Sequence, residues 1–301
     1  MVVLFHFSSR WFSIPNLVAL RMPLYFTLSG LFFKSYGDSK VFLIKKTNNV
    51  LIPYLFWLVI GIIVAIGLNF EGLKECESYR DWQDQNSPIW FLLCLFNANI
   101  LFYILQCYLK DYGLFVVICA ISLMGIFCEI HDVGHFLELR GVCRFFPFFY
   151  MGYMLKDVLV NIQSQSHVKS FLLGVATITF SYFIFYLTKY SGIELLTGNN
   201  VFNKVLSIAN SAFYVMGFLL LCKIVRWLPV ISYIGRYSII VLCTHWLIMR
   251  LLYAISGGPV ENVILKFVFL ASLLFCCWII IPICKKYLPC FVAQRPLLKI
   301  K

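Results

Sequence analysis

Arg21-Met-Pro-Leu-Tyr-Phe-Thr-Leu-Ser-Gly-Leu-Phe-Phe-Lys34 is the stretch whose reading decides the fold. It opens and closes on a cation, and the apolar run between them is broken only by Thr27 and the small pair Ser29-Gly30. Such a run reads as a membrane helix with a charged mouth at Arg21. Ser29 and Gly30 are expected to let a second helix approach closely, because in lipid packing replaces the hydrophobic drive. Pro23 is expected in the first turn, where its missing N–H would be unpaired in any case. Upstream, residues 1–7 are an apolar stub containing His6, far short of the ~20 residues that a span requires. The stub reads as the second half of a membrane helix, so the original chain is expected to extend upstream of Met1. A turn joins stub and helix, which places His6 and Arg21 at the same membrane face. The plainer reading makes Arg21 an interfacial anchor and His6 a capping residue.

Working outward, the whole chain has the same character. Of its 301 residues 61% are hydrophobic and 13% are charged, against about 25% charged in a soluble domain. Mean hydropathy is +0.87. Further apolar runs are expected as spans at 50–68, 88–109, 113–128, 145–159, 168–187, 205–225, 237–255 and 263–284. The fifth and sixth spans, 113–128 and 145–159, are short. The fold class is therefore an all-α polytopic membrane protein of about ten transmembrane helices, the first truncated, in a single membrane domain over 1–301. No soluble stretch is long enough for a second core, and no internal repeat is visible.

The net charge of +12 does not point to nucleic acid, because the cations sit in loops and at helix ends. With the N-terminus in the cytoplasm, more than half of the 25 cations fall in inner loops, among them Lys34, Lys40, Lys45, Lys46, Lys285 and Lys286. The acidic loop 69–87 falls outside, and Arg250 is expected to snorkel outward. This asymmetry in short loops sets the expected orientation. The 12 cysteines lie mostly in apolar runs and form no C-x-x-C pair, so they read as small hydrophobes rather than a disulfide framework.

Few residues are suited to chemistry. His6 titrates near neutral pH and could take a proton from a hydroxyl. Arg21 could hold an anion or polarise a carbonyl. His245, inside the ninth span and followed by Trp246, reads first as a packing residue and second as one facing a cavity. His131-Asp-Val-Gly-His135 has the i, i+4 spacing of a zinc pair, but Asp132 and Gly134 argue for a loop, and no metal site is expected. His167 reads as solvated. Trp90 is an interfacial anchor. Lys45 and Lys46, with Lys40 before them, could meet the phosphates of a nucleotide-like donor, although the positive-inside rule also accounts for them.

Taken in order, several stretches resemble the membrane acyltransferase-3 family, and within it the fucose 4-O-acetylase-like branch. They are the His6 helix end, Arg21 to Gly30, Phe42-Leu-Ile-Lys-Lys46, Leu51-Ile-Pro-Tyr-Leu-Phe-Trp57, Pro88-Ile-Trp-Phe-Leu92, Phe148-Phe-Tyr-Met-Gly-Tyr153 and Thr244-His-Trp246. The resemblance implies a membrane O-acyltransferase that moves an acetyl or other short acyl group from acyl-CoA to a hydroxyl of an envelope saccharide or lipid-linked saccharide. It implies His6 as a catalytic residue, and the candidates beside it are Arg21 for catalysis, Lys45 and Lys46 for the donor, and His245 and Trp90 for a substrate cavity. Acyl-CoA is then a co-substrate, with no tightly bound cofactor, and the setting is the plasma membrane of a bacterium. The chain departs from the family in three ways. The family's Arg upstream of the His would fall before Met1, Arg21 stands where the family often has His, and the basic loop is poorer in Arg. The alternative class is a non-enzymatic transporter or flippase for a saccharide or lipid.

Overall fold

The structure is a computed structural model that describes residues 16–68, 79–161, 167–190, 200–224, 228–256 and 263–299. His6 and the acidic part of the loop at 69–78 lie outside the described residues. Among those described there are helices and turns and no strand. The helices are α1 (Leu17–Leu31), α2 (Ser39–Lys46), α3 (Ile52–Gly67), α4 (Tyr79–Asp84), α5 (Trp90–Tyr108) and α6 (Asp111–Ile130). They continue with α7 (Leu139–Asn161), α8 (His167–Tyr190), α9 (Val201–Ile224), α10 (Pro229–Arg236), α11 (Ser238–Ser256) and α12 (Val263–Tyr287). A π-helical turn, Thr47–Leu51, joins α2 to α3 without a break.

Among the described residues, seven helical segments are long and apolar enough to cross a membrane: Ser39–Gly67, Ser87–Tyr108, Asp111–Ile130, His167–Tyr190, Val201–Ile224, Ser238–Ile255 and Lys266–Tyr287. The chain is an all-α polytopic membrane protein. α1 is apolar but only 15 residues long. α7 has 23 residues and includes Arg140, Arg144, Lys156 and Asp157. These two and the N-terminal stub are the difference from the ten expected spans.

Three local expectations are corrected. The short fifth and sixth spans are helices of 20 and 23 residues. The helix runs on past the apolar window, because charged side chains near a helix end can keep their heads at the interface. Residues 39–46, expected as loop, are helical, and the Asp38 side chain caps them by accepting the Lys40 N–H at 3.0 Å. Pro23 is not in a first turn, because α1 already starts at Leu17. It removes one bond from the helical ladder, and Thr27 Oγ1 donates to the Pro23 carbonyl at 2.8 Å.

By packing, the described residues divide into two compact units. The first takes in 35–96 and 229–299, the second 16–34 and 97–228, with α5 contributing residues to both. In the second unit α1 packs on α7 and α9, α8 on α9, and α6 on α7. The α1–α7 crossing has no side chain between the backbones. A Cβ on Gly30 would overlap the Phe149 carbonyl, and one on Gly152 would overlap the Thr27 carbonyl. Of the expected pair Ser29-Gly30, the glycine makes the contact. Around it, Phe26 stacks on Phe145 at 5.0 Å, and the fully buried Phe102 lies 5.0 Å from Phe33 and 5.1 Å from Phe149 between ring centroids. In the first unit α11 packs on α12, α3 meets the 3-10 turn Pro289–Val292, and α11 meets the 3-10 turn Ser87–Ile89.

Candidate functional site

Arg21 stands on α1, one turn before Tyr25, with Nε and Nη1 of its guanidinium shut off from solvent. The helix that carries it is fixed at both ends. At its start Asn16 takes a left-handed conformation, φ 63°, which Asn tolerates better than most residues. Its amide does not cap the helix. It donates to Ser181 Oγ at 2.9 Å and accepts from Asn210 Nδ2 at 2.7 Å, while Ser181 Oγ donates to Asn210 Oδ1 at 2.7 Å. The three side chains are buried, and they close on one another across α1, α8 and α9. At the far end the glycine crossing holds α1 to α7.

The same unit contains a carboxylate shared by two cations. Glu129, at the end of α6, accepts from Lys204 Nζ at 2.7 Å and Arg144 Nη1 at 3.1 Å. Lys204 is buried within α9 with this carboxylate as its partner. The nearby His131–His135 segment is a loop, as the sequence indicated. Asp132 and Gly134 have φ 52° and 81°, so the two histidines share no helical face. His135 Nε2 donates to the Asp132 carbonyl at 3.0 Å, and Arg140 pairs with the Asp132 carboxylate.

In the first unit a turn rich in amides joins α4 to α5. Asn86, fully buried, donates to the Trp57 carbonyl on α3 and the Cys243 carbonyl on α11, each at 3.2 Å. Gly61 makes room for it, since a Cβ there would come within 2.7 Å of Asn86 Cβ. Gln85 accepts from Arg250 Nη1 at 3.1 Å, and the Arg250 guanidinium lies 5.8 Å from the Trp246 ring. Arg250 therefore turns to an amide and an aromatic face of its own unit rather than simply outward. Trp90 opens α5 directly after this turn and meets Phe91 edge-to-face at 6.5 Å. His245 is fully buried on α11. Its Nδ1 donates to the Val241 carbonyl at 2.7 Å, which fixes the orientation of the ring.

Lys45 and Lys46 end α2. The Lys45 ammonium lies 3.8 Å from the centre of the Tyr36 ring, and that of Lys46 lies 5.6 Å from Phe42. Ring faces steady the amines without neutralising them. An arrangement of this kind can receive an anion.

A family model described as an acyltransferase domain, Acyl_transf_3, matches residues 1–281. The chain belongs to the acyltransferase-3 family. No curated protein and no solved structure matches it. In this membrane acyltransferase His6 lies outside the described residues, Arg21 belongs to the second unit, and Lys45, Lys46, Trp90 and His245 belong to the first. Asn86 links the start of the Trp90 helix to Cys243, two residues before His245. Sequence reasoning assigned no role to Asn16, Asn48, Asn86, Asn210 or Glu129. Their signal was an amide or carboxylate at the edge of an apolar run or, for Asn210, inside one, where burial requires a partner.

Proposed function

We propose that this acyltransferase moves an acetyl or other short acyl group from acyl-CoA to a hydroxyl of an envelope saccharide or lipid-linked saccharide, as in the fucose 4-O-acetylase-like branch. The observation that carries the reading is the family match over 1–281. In the proposed step His6 takes the proton of the acceptor hydroxyl, and the hydroxyl oxygen attacks the thioester carbonyl. Arg21 stabilises the oxyanion that develops. The C–S bond breaks, and the CoA thiolate leaves with the proton returned by the imidazolium. Lys45 and Lys46 hold donor phosphates on the cytoplasmic side of a bacterial plasma membrane. His245 and Trp90 serve the acceptor.

The test is transfer of labelled acetyl from acetyl-CoA to envelope saccharide in membranes of matched protein abundance. It uses the gene as encoded, including any in-frame sequence upstream of Met1. His6→Ala should lower transfer by about 10²–10⁴-fold, the usual contribution of a positioned base. Full activity would remove His6 from the mechanism and move attention to His245. Saccharide uptake into liposomes without any transfer would favour the transporter class. Single cysteines at Ser39 and Ser78 in a Cys-free background should label from opposite sides. Labelling of both from outside, or of Ser39→Cys alone, would overturn the proposed orientation.

A further inference from the structure

After α12 the chain makes the 3-10 turn Pro289–Val292 and continues as a strap of turns and bends to Lys299. Three contacts hold it. Phe291 stacks on Phe56 at 4.1 Å, and Trp57 Nε1 donates to the Phe291 carbonyl at 3.1 Å. Further on, Asn48 engages the main chain from both sides. Its Nδ2 donates to the Leu298 carbonyl at 2.9 Å, and its Oδ1 accepts the N–H of Leu297 at 2.9 Å and of Leu298 at 2.8 Å. Asn48 is 4% exposed, whereas Leu297 and Leu298 are 50% and 44% exposed. The strap is thus not held by burial of its leucines. Its main chain is gripped by an amide in the π-turn, a kind of turn that concentrates at functional sites.

The grip joins two basic stretches of the sequence through one asparagine. Asn48 lies two residues beyond Lys46, and Leu298 is followed by Lys299, with Arg295 just before the gripped peptide. Residues 39–68 and 263–301 contain no Asp or Glu. The Asp38 carboxylate just outside is engaged in capping α2. Bringing like charges together is unfavourable unless an anion is shared among them. We infer that the strap is a working part of the donor site. Arg295 and Lys299 join Lys45 and Lys46 on the phosphates of the coenzyme A thioester, and Asn48 is the positioning residue that holds them there. The inference rests on the donor reading proposed above.

The experiment is binding of adenosine 3′,5′-bisphosphate, the phosphate-bearing head of coenzyme A, to the purified full chain in detergent at low and high salt. R295Q/K299Q, at two exposed positions, should weaken binding about tenfold at low salt and flatten the salt dependence, since exposed charge contacts are individually weak and screened. K45Q/K46Q should do the same. Asn48→Ala removes no charge yet should weaken binding, and adding R295Q/K299Q to it should cost little more. Such non-additivity is the mark of groups that act through one another, and a merely structural role would give additive losses. If K45Q/K46Q weakens binding and R295Q/K299Q does not, the strap has no part in the site while the donor reading stands. If neither pair weakens binding, the donor reading fails and the strap's role with it. Should Asn48→Ala not fold, the two charge pairs decide between these outcomes.

Discussion

The two units are assembled by different means. In the second, helices meet backbone to backbone at Gly30 and Gly152, and its buried amides satisfy one another in the closed set Asn16, Ser181 and Asn210. In the first, side chains reach out and grip the main chain of another element. Asn86 holds Trp57 and Cys243, Asn48 holds Leu297 and Leu298, and Trp57 holds Phe291. A contact between bare backbones depends on residue size and admits nothing larger. A bond to a peptide group depends on where the main chain lies and is indifferent to the side chain it bears. The two regions should therefore tolerate substitution in opposite ways.

The sharpest test is at the glycine crossing. Gly30→Leu or Gly152→Leu places side chain where a neighbouring peptide sits, and neither helix can yield locally. A loss of about 3 kcal/mol or more is expected, the upper end for overpacking. It would be read as loss of monodisperse protein and a lowered melting midpoint in detergent. Gly67→Ala, with nothing near its Cβ, should leave both unchanged. An equally stable Gly30→Leu protein would end the comparison. Next comes Asn210→Ala, which strips partners from the buried Asn16 and Ser181 and should cost about 2 kcal/mol. A smaller effect, about 1 kcal/mol, is expected for Asn86→Ala, because it removes two donated bonds and the carbonyls it leaves belong to helices. Thermal midpoints of the two single variants, measured side by side, check the order. The smallest effect belongs to Leu297→Ala with Leu298→Ala. If the strap is gripped by its main chain, their combined cost should stay within about 0.5 kcal/mol, and a large loss would show that the leucines are packed after all.

Hydropathy made the fold class legible. The apolar runs became helices, and Gly30 carried its expected contact because a small residue inside a long apolar run has few other uses in lipid. Helix ends were less legible. Asp111, Glu129, Arg140 and Lys156 extend helices that a hydropathy window closes early, since a charge at a helix end costs little when its head can reach the interface. Residues 39–46 looked like loop because cations and Asn48-Asn49 follow each other, yet Asp38 supplies a cap and the helix passes through. Of the site, the cationic pair Lys45-Lys46 could be read from the chain. The Asn48 clamp could not, because its partners lie some 250 residues away and a peptide group leaves no signature in the sequence that displays it.

The π-turn at Thr47–Leu51 has a consequence for chain length. It lets one residue more than an α-helical turn into the wall between α2 and α3. Removing a single residue there would restore a regular helix and make the backbone more ideal. The flanking helices would keep nearly the same rotation about the common axis, because the wider winding of the π-turn already takes up the extra residue. Lys45 and Lys46 would still face the same side of the rod relative to Tyr54 and Trp57. The turn works as stored slack: a shorter chain could present the same cations in the same directions and lose only the bulge in which Asn48 sits.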